Sequence, residues 1–270
     1  MFEFYFTYWS DLPADSGYDT FGIVHLTWLA GIAIAIVLCT VLFLKCSSPS
    51  QDQFQKCSPL SPDQFPKQIS SAQDRFLKTL AGIMLAMEAY REIVLIVTGH
   101  MEFENLPLHL CGLAIFAEAL FAFFPNSFLG EFTCVACLPG AASALIFPDW
   151  LRYPTVNYMN LHGFIMHGIL VMFPILVLVS GKYVPHIRRI YMPVLFFAVA
   201  APILHRLNAW QGSNFMFLNR PSLGSPFEAV YEAYGYGVYL AVFGVTVFAV
   251  ILAMYGGIGL IRFILKRTSD

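Results

Sequence analysis

Long apolar runs, broken by short polar stretches, set the pattern of this chain. Runs bounded by charges, Pro and Gly predict helices over residues 22–44, 76–98, 106–124, 128–147, 160–180, 188–205 and 235–263. Most are near the ~17–25 residues that cross about 30 Å of hydrocarbon. Backbone polar groups in lipid must be satisfied within the segment, and no run shows the dyad alternation of an outer-membrane strand. The expected fold is therefore an all-α membrane protein of seven transmembrane helices. Residues 1–21 form an extracytosolic segment, 22–265 the transmembrane domain and 266–270 a cytosolic tail.

Composition strengthens this picture. With 58% hydrophobic and 12% charged residues and a mean hydropathy of +0.66, there is too little polar sequence to coat a soluble globule. The first 25 residues hold no Lys or Arg but carry Glu3, Asp11, Asp15 and Asp19, so no cleavable leader is expected. Fifteen basic against 17 acidic residues leave no extended basic surface, which excludes nucleic acid as a partner. The six cysteines lie mostly in apolar spans or on the first inter-helix loop, and a disulfide framework is not expected.

Charge also sets an expected orientation. With the amino terminus outside or lumenal and the carboxyl terminus cytosolic, the inner segments hold Lys45, Lys56, Lys67, Arg75, Lys78, Lys182, Arg188, Arg189, Arg262, Lys266 and Arg267. The outer side holds only Arg152, Arg206 and Arg220. Trp150, Tyr153, Tyr158, Trp210, Tyr231 and Tyr236 fall at the outer edges, where amphipathic rings favour the headgroup zone. Residues 46–75 read as a mobile cytosolic linker built on an eleven-residue repeat: Asp52-Gln53-Phe54-x-Lys56, Asp63-Gln64-Phe65-x-Lys67 and Asp74-Arg75-Phe76-x-Lys78.

Ionisable residues inside a span are costly and so carry information. Glu88, Arg91 and Glu92 share one face of the second helix, as an ion-pair knot or as a cavity wall that meets a substrate. On the third helix, taken to start near Leu106, Cys111 lies ~7 Å in; on the fifth, His167 lies ~10 Å in from the same side. A thiol attacks as its thiolate, and an imidazole in reach can take its proton and return it to a leaving group. His109 is about 200° around the helix from Cys111, and His162 about 140° from His167 and nearer the surface, so His167 is the better base. A single helical Cys is also commonly a small buried hydrophobe, and a lone intramembrane His a packing residue. The polar connection His205–Leu218 offers Asn208 and Asn214, which either cap helix ends or donate to a carbonyl or oxyanion. Cys134-x-x-Cys137 with Pro139-Gly140-Ala141-Ala142-Ser143-Ala144 reads as close helix packing.

Several ordered motifs resemble the YwaF family, related to the animal transmembrane-protein-164 acyltransferases, over roughly residues 76–240. They are Leu106-Pro107-Leu108-His109-Leu110-Cys111, Pro139-Gly140-Ala141-Ala142-Ser143-Ala144-Leu145 with Pro148-Asp149, His167-Gly168, and Asn208 with Gly212-Ser213-Asn214-Phe215-Met216-Phe217-Leu218. The resemblance implies a six- or seven-helix enzyme that moves an acyl chain between phospholipids, with Cys111 matching the acyl acceptor and His167 the base. Tyr is usual where Phe215 stands, and the repeated loop before residue 76 has no counterpart.

The expectation is a lipid acyltransferase or acyl hydrolase with an outward cavity, membrane lipids as substrates and no cofactor. It would lie in the plasma membrane of a bacterium or an endomembrane such as the endoplasmic reticulum of a eukaryote. One rival is a receptor, sensor or transporter. Another is a metal-dependent hydrolase using His109, His162, His167 and His205, although no two have the i, i+4 spacing of helical ligands.

Overall fold

The computed structural model describes residues 3–46 and 69–267. Seven main helices occur among the described residues: α1 Ile23–Lys45, α2 Ser71–Val97, α3 Leu110–Phe123, α4 Ser127–Ile146, α5 Tyr158–Ser180, α6 Tyr191–Gln211 and α7 Pro226–Arg267. No strand occurs among the described residues. Five of the seven are long and apolar enough to cross a membrane, namely α1, α4, α5, α7 and the stretch Ile187–Gln211 that contains α6. α3 is apolar but short, and α2 carries more charge. Most of the repeated linker, residues 47–68, lies outside the described residues.

The boundaries moved where local chemistry outweighs hydropathy. α2 starts at Ser71, five residues before the expected 76, because Ser70 and Gln73 form a reciprocal capping box. The third repeat unit is thus helix. α3 starts at Leu110 and not near 106, since the residue before Pro107 is driven to extended geometry and Leu106 has φ −58°, ψ 144°. α6 runs through Asn208 to Gln211 and ends on Gly212 at φ 72°, so His205 and Asn208 sit on a helix and not on the expected loop. α7 begins at Pro226, nine residues early, and breaks its own geometry at Gly235, φ 77°.

α5 is the hub, packing on α1, α2, α3 and α4. The core is Leu, Met, Phe and Ala from α2 to α5, and it includes Cys134 and Cys137. Close approach is enforced by glycine: a Cβ at Gly140 would sit 2.7 Å from the Leu110 side chain, and one at Gly130 2.7 Å from the Tyr183 ring. Cys39, Cys46, Cys111, Cys134 and Cys137 are free thiols.

Two ends are distinct. At the upper end, the segment before α1 folds over the connections into α3 and α5. Asn157 donates to the Phe4 and Thr7 carbonyls (2.6 and 2.9 Å), Tyr8 bonds Asn105 (3.3 Å), and Tyr18 donates to Asn160 (2.7 Å). At the lower end, Lys182 and Lys78 both bind Asp74 at 2.6 Å.

Candidate functional site

The site is built at the upper end from the mouth of α3, the middle of α5 and the turn between α4 and α5. Because Pro107 delays α3, His109 becomes its N-cap residue and Cys111 lies in its first turn. A Cβ on Gly112 would lie 2.7 Å from the Pro107 backbone, so the chain can fold back here only with glycine. Cys111 is half-buried and packs against the main core.

His167 is also half-buried, on α5. Its Nδ1 lies 2.7 Å from the Gly163 carbonyl. A carbonyl only accepts, so Nδ1 carries the hydrogen and the neutral ring keeps a lone pair on Nε2. The ring stacks on Trp150 at 4.6 Å and 21°. That indole in turn lies over Gly163, where a Cβ would meet it at 2.7 Å. Backbone, indole and imidazole therefore fix one another.

What Cys111 and His167 share is Asp149. Its carboxylate is within electrostatic range of both, and of His109. α3 and α5 pack together, and the turn between α4 and α5 carries Asp149, which is exposed. The matched depths expected from helix starts at 106 and 160 do not hold, because Cys111 is in the first turn of α3 while His167 is nine residues beyond Tyr158. Asp149 stood inside a quoted motif without a role; its electrostatic influence on both groups comes from a turn, which helical spacing does not address.

Glu88, Arg91 and Glu92 form a compact knot. Arg91 donates to Glu88 from Nε (3.2 Å) and Nη2 (2.7 Å), and from Nη2 to Glu92 (2.5 Å). The same Nη2 donates to the Asn105 carbonyl at 2.9 Å, tying α2 to the turn that leads into Pro107 and Cys111. His162 Nε2 is 3.7 Å from Glu88 and, with Trp150 Nε1 and the Tyr158 hydroxyl, is buried with no hydrogen-bond partner. These three buried polar atoms without partners stand out in an interior where such groups are normally satisfied.

His109 accepts from the Met216 amide (3.3 Å) and packs on Phe215 and Phe217. Asn208 Nδ2 donates to the Phe215 carbonyl, and its Oδ1 accepts from Phe215 N and Ser213 (3.0, 2.8 and 3.0 Å). Asn214 likewise bonds the main chain of Asn219 and Arg220. Both amides hold the 212–220 turn, in which Met216 and Phe217 have positive φ. His205 bonds Asn219 at 2.9 Å. Among the described residues, no three His, Cys, Asp or Glu side chains gather into a group able to hold a metal ion.

Sequence reasoning missed two interior acids. Glu118 on α3 and Glu131 on α4 are both completely buried. A hydropathy window averages one acid away among Phe, Ala and Leu; the signal available was the single charged letter within each apolar run.

The fold and its several apolar helices define a multi-pass helical membrane protein. A family model described as the TMEM164 family matches residues 20–255, and the chain belongs to that family. The match takes in α1 and the linker, beyond the 76–240 covered by the motifs. No curated protein and no solved structure matches the chain.

Proposed function

We propose that this protein is an intramembrane lipid acyltransferase or acyl hydrolase that works from its upper, outward or lumenal end. The observation that carries the reading is the His167 tautomer: Nδ1–H is committed to Gly163, which leaves Nε2 as a proton acceptor on a ring held by Trp150. Cys111 shares the electrostatic field of Asp149 with that ring.

In the first step Cys111 gives its proton to His167 Nε2 and the sulfur attacks an ester carbonyl. The ester C–O bond breaks, the leaving alkoxide takes the proton from His167, and the acyl chain remains as a thioester. An acceptor hydroxyl, from a lysolipid or water, then gives its proton to His167 and attacks the thioester. Cys111 leaves and is reprotonated. Asp149 steadies the imidazolium formed in each half-reaction. The Arg91 knot and the Asn208–His109 clasp act one layer out, holding the two turns that frame the cavity.

Upper-end orientation to the outside or lumen is favoured by the basic residues at the lower end, Lys45, Arg75, Lys78, Lys182, Arg188 and Arg189. Labelling of Cys111 by a lipid-like electrophile tests the dyad. Wild type is labelled, and His167→Ala lowers the rate by about 10²–10⁴-fold, the usual worth of a general base. Equal labelling refutes it, as does lipid remodelling by purified Cys111→Ala.

A further inference from the structure

Glu118 is the least explained group in the bundle. It is fully buried, and neither carboxyl oxygen has a hydrogen-bond partner. It lies seven residues beyond Cys111, two turns along α3 and on the same face, about 10 Å deeper at 1.5 Å per residue. α3 packs there on a π-helical turn of α4, Thr133–Cys137, which is itself fully buried. The Thr133 hydroxyl in that turn is a second buried polar atom without a partner. π turns interrupt the regular backbone register and collect at functional positions.

The ionisable groups in electrostatic range of Glu118 are three thiols, Cys111 on α3 and Cys134 and Cys137 on α4. Among the described residues no Lys, Arg or His donates a hydrogen bond to either of its oxygens. Cys134 is in turn within range of Glu131, at the lower end of α4. Glu131 accepts from the Tyr183 hydroxyl (2.8 Å), the His186 amide (3.0 Å) and the Tyr255 hydroxyl (2.7 Å), and Arg189 donates to Tyr183 at 3.3 Å. Two buried carboxyls, Glu118 on α3 and Glu131 on α4, thus lie inside the bundle, with the Thr133–Cys137 turn packed against the first helix and following the second acid by two residues.

A carboxyl in such a place is neutral with its own proton or charged beside a cation, and no side-chain cation bonds it. We propose that Glu118 and the π turn facing it form a hydrated proton-binding station, midway on a proton path between the Cys111 cavity and the Glu131 cluster. The carboxyl takes a proton from water on one side and gives it to water on the other. Thr133 serves as the neighbouring hydroxyl donor and acceptor. The pH difference across the membrane supplies the drive, and no co-reactant is needed. This activity does not depend on acyl transfer.

The test uses the full chain in phosphatidylcholine vesicles with a trapped pH-sensitive dye, and valinomycin with potassium to balance charge. After a pH step, wild-type vesicles equilibrate several-fold faster than protein-free ones. Glu118→Gln, nearly isosteric, returns the rate to the protein-free level, and Glu118→Asp keeps part of the flux. His167→Ala, which cripples acyl transfer from α5 and is not among the groups in range of Glu118, leaves the flux intact, so the two readings fail separately. Wild-type vesicles no faster than protein-free ones, or a Glu118→Gln protein as fast as wild type, overturn the proposal. If Glu118→Gln does not fold, the wild-type infrared spectrum decides. A protonated-carboxyl stretching band at neutral pH that Glu118→Asp shifts supports the station, and its absence overturns it.

Discussion

Replacing Gly163 with alanine strikes the candidate base from two sides. The new methyl would lie 2.7 Å from Trp150 Cε2, 2.8 Å from Nε1 and 2.9 Å from Cδ2, all on one rigid ring. Nothing at the end of a flexible side chain can swing aside, so either the indole or α5 must move. The indole is stacked on His167 at 4.6 Å, and the same Gly163 provides the carbonyl that fixes the His167 tautomer at 2.7 Å. Inserting a methyl into a packed site costs about 1–3 kcal/mol. At about 2–4 °C per kcal/mol for large domains, the apparent melting temperature falls by roughly 2–12 °C.

The chemical effect should exceed the stability effect, because a misplacement of about 1 Å at a catalytic group costs on the order of 10²-fold in rate. Melting of the purified protein in detergent gives the first number and the rate of Cys111 labelling the second. The double variant Gly163→Ala/Trp150→Ala separates clash from general damage. Removing the ring relieves the overlap, so the two changes couple by more than about 0.5 kcal/mol instead of adding. A Gly163→Ala protein that melts and labels like wild type refutes the packing of glycine, indole and imidazole described above.

Two other contacts make sharp predictions. Tyr255→Phe strips one donor from Glu131, whose Oε2 accepts from that hydroxyl at 2.7 Å, and lowers stability by about 1–3 kcal/mol; an unchanged melt argues that α7 is not tied to α4 there. His25 is fully buried, accepts from the Phe21 amide at 2.9 Å and donates to the Leu145 carbonyl at 2.9 Å. His25→Ala orphans both groups and costs about 1–3 kcal/mol in the same melt, with labelling of Cys111 largely retained.

The helices were legible in the sequence because lipid crossing demands long apolar runs, and each of the seven expected segments overlaps a helix of the structure. Their ends were not, where a polar first turn or a proline decides. The Ser70/Gln73 box and Gly212 after Gln211 are local signals that a hydropathy reading passes over, whereas Pro107 was visible and its effect on Leu106 was not drawn. Cys111 and His167 were singled out as candidates by residue chemistry and a motif resemblance. The tautomer and orientation of His167 were invisible, because they depend on the Gly163 carbonyl and on Trp150, which reaches α5 from a turn. Asn208 and Asn214 stood equally as caps or as oxyanion donors. Their amides hold the 212–220 turn, the structural half of that choice.

Glu118 and Glu131 are both buried acids, and the contrast between them yields the last prediction. Glu131 has donors on both oxygens, from Tyr183, His186 N and Tyr255. Replacing it with methionine leaves those donors stranded and costs about 1–3 kcal/mol each where no water reaches. Glu118 accepts no hydrogen bond from the protein, so methionine, close to it in length, strands no protein donor bonded to it and removes an uncompensated carboxyl from the interior. A buried polar group without compensation costs about 1–3 kcal/mol by mutational data, and Glu118→Met should recover part of that. The melting temperature therefore rises for Glu118→Met and falls for Glu131→Met. A fall in both would mean that Glu118 has a stabilising partner after all. A rise at Glu118 means that the chain keeps an acid there against its own stability, as proteins do at positions held by function. The proton path then accounts for why it stays.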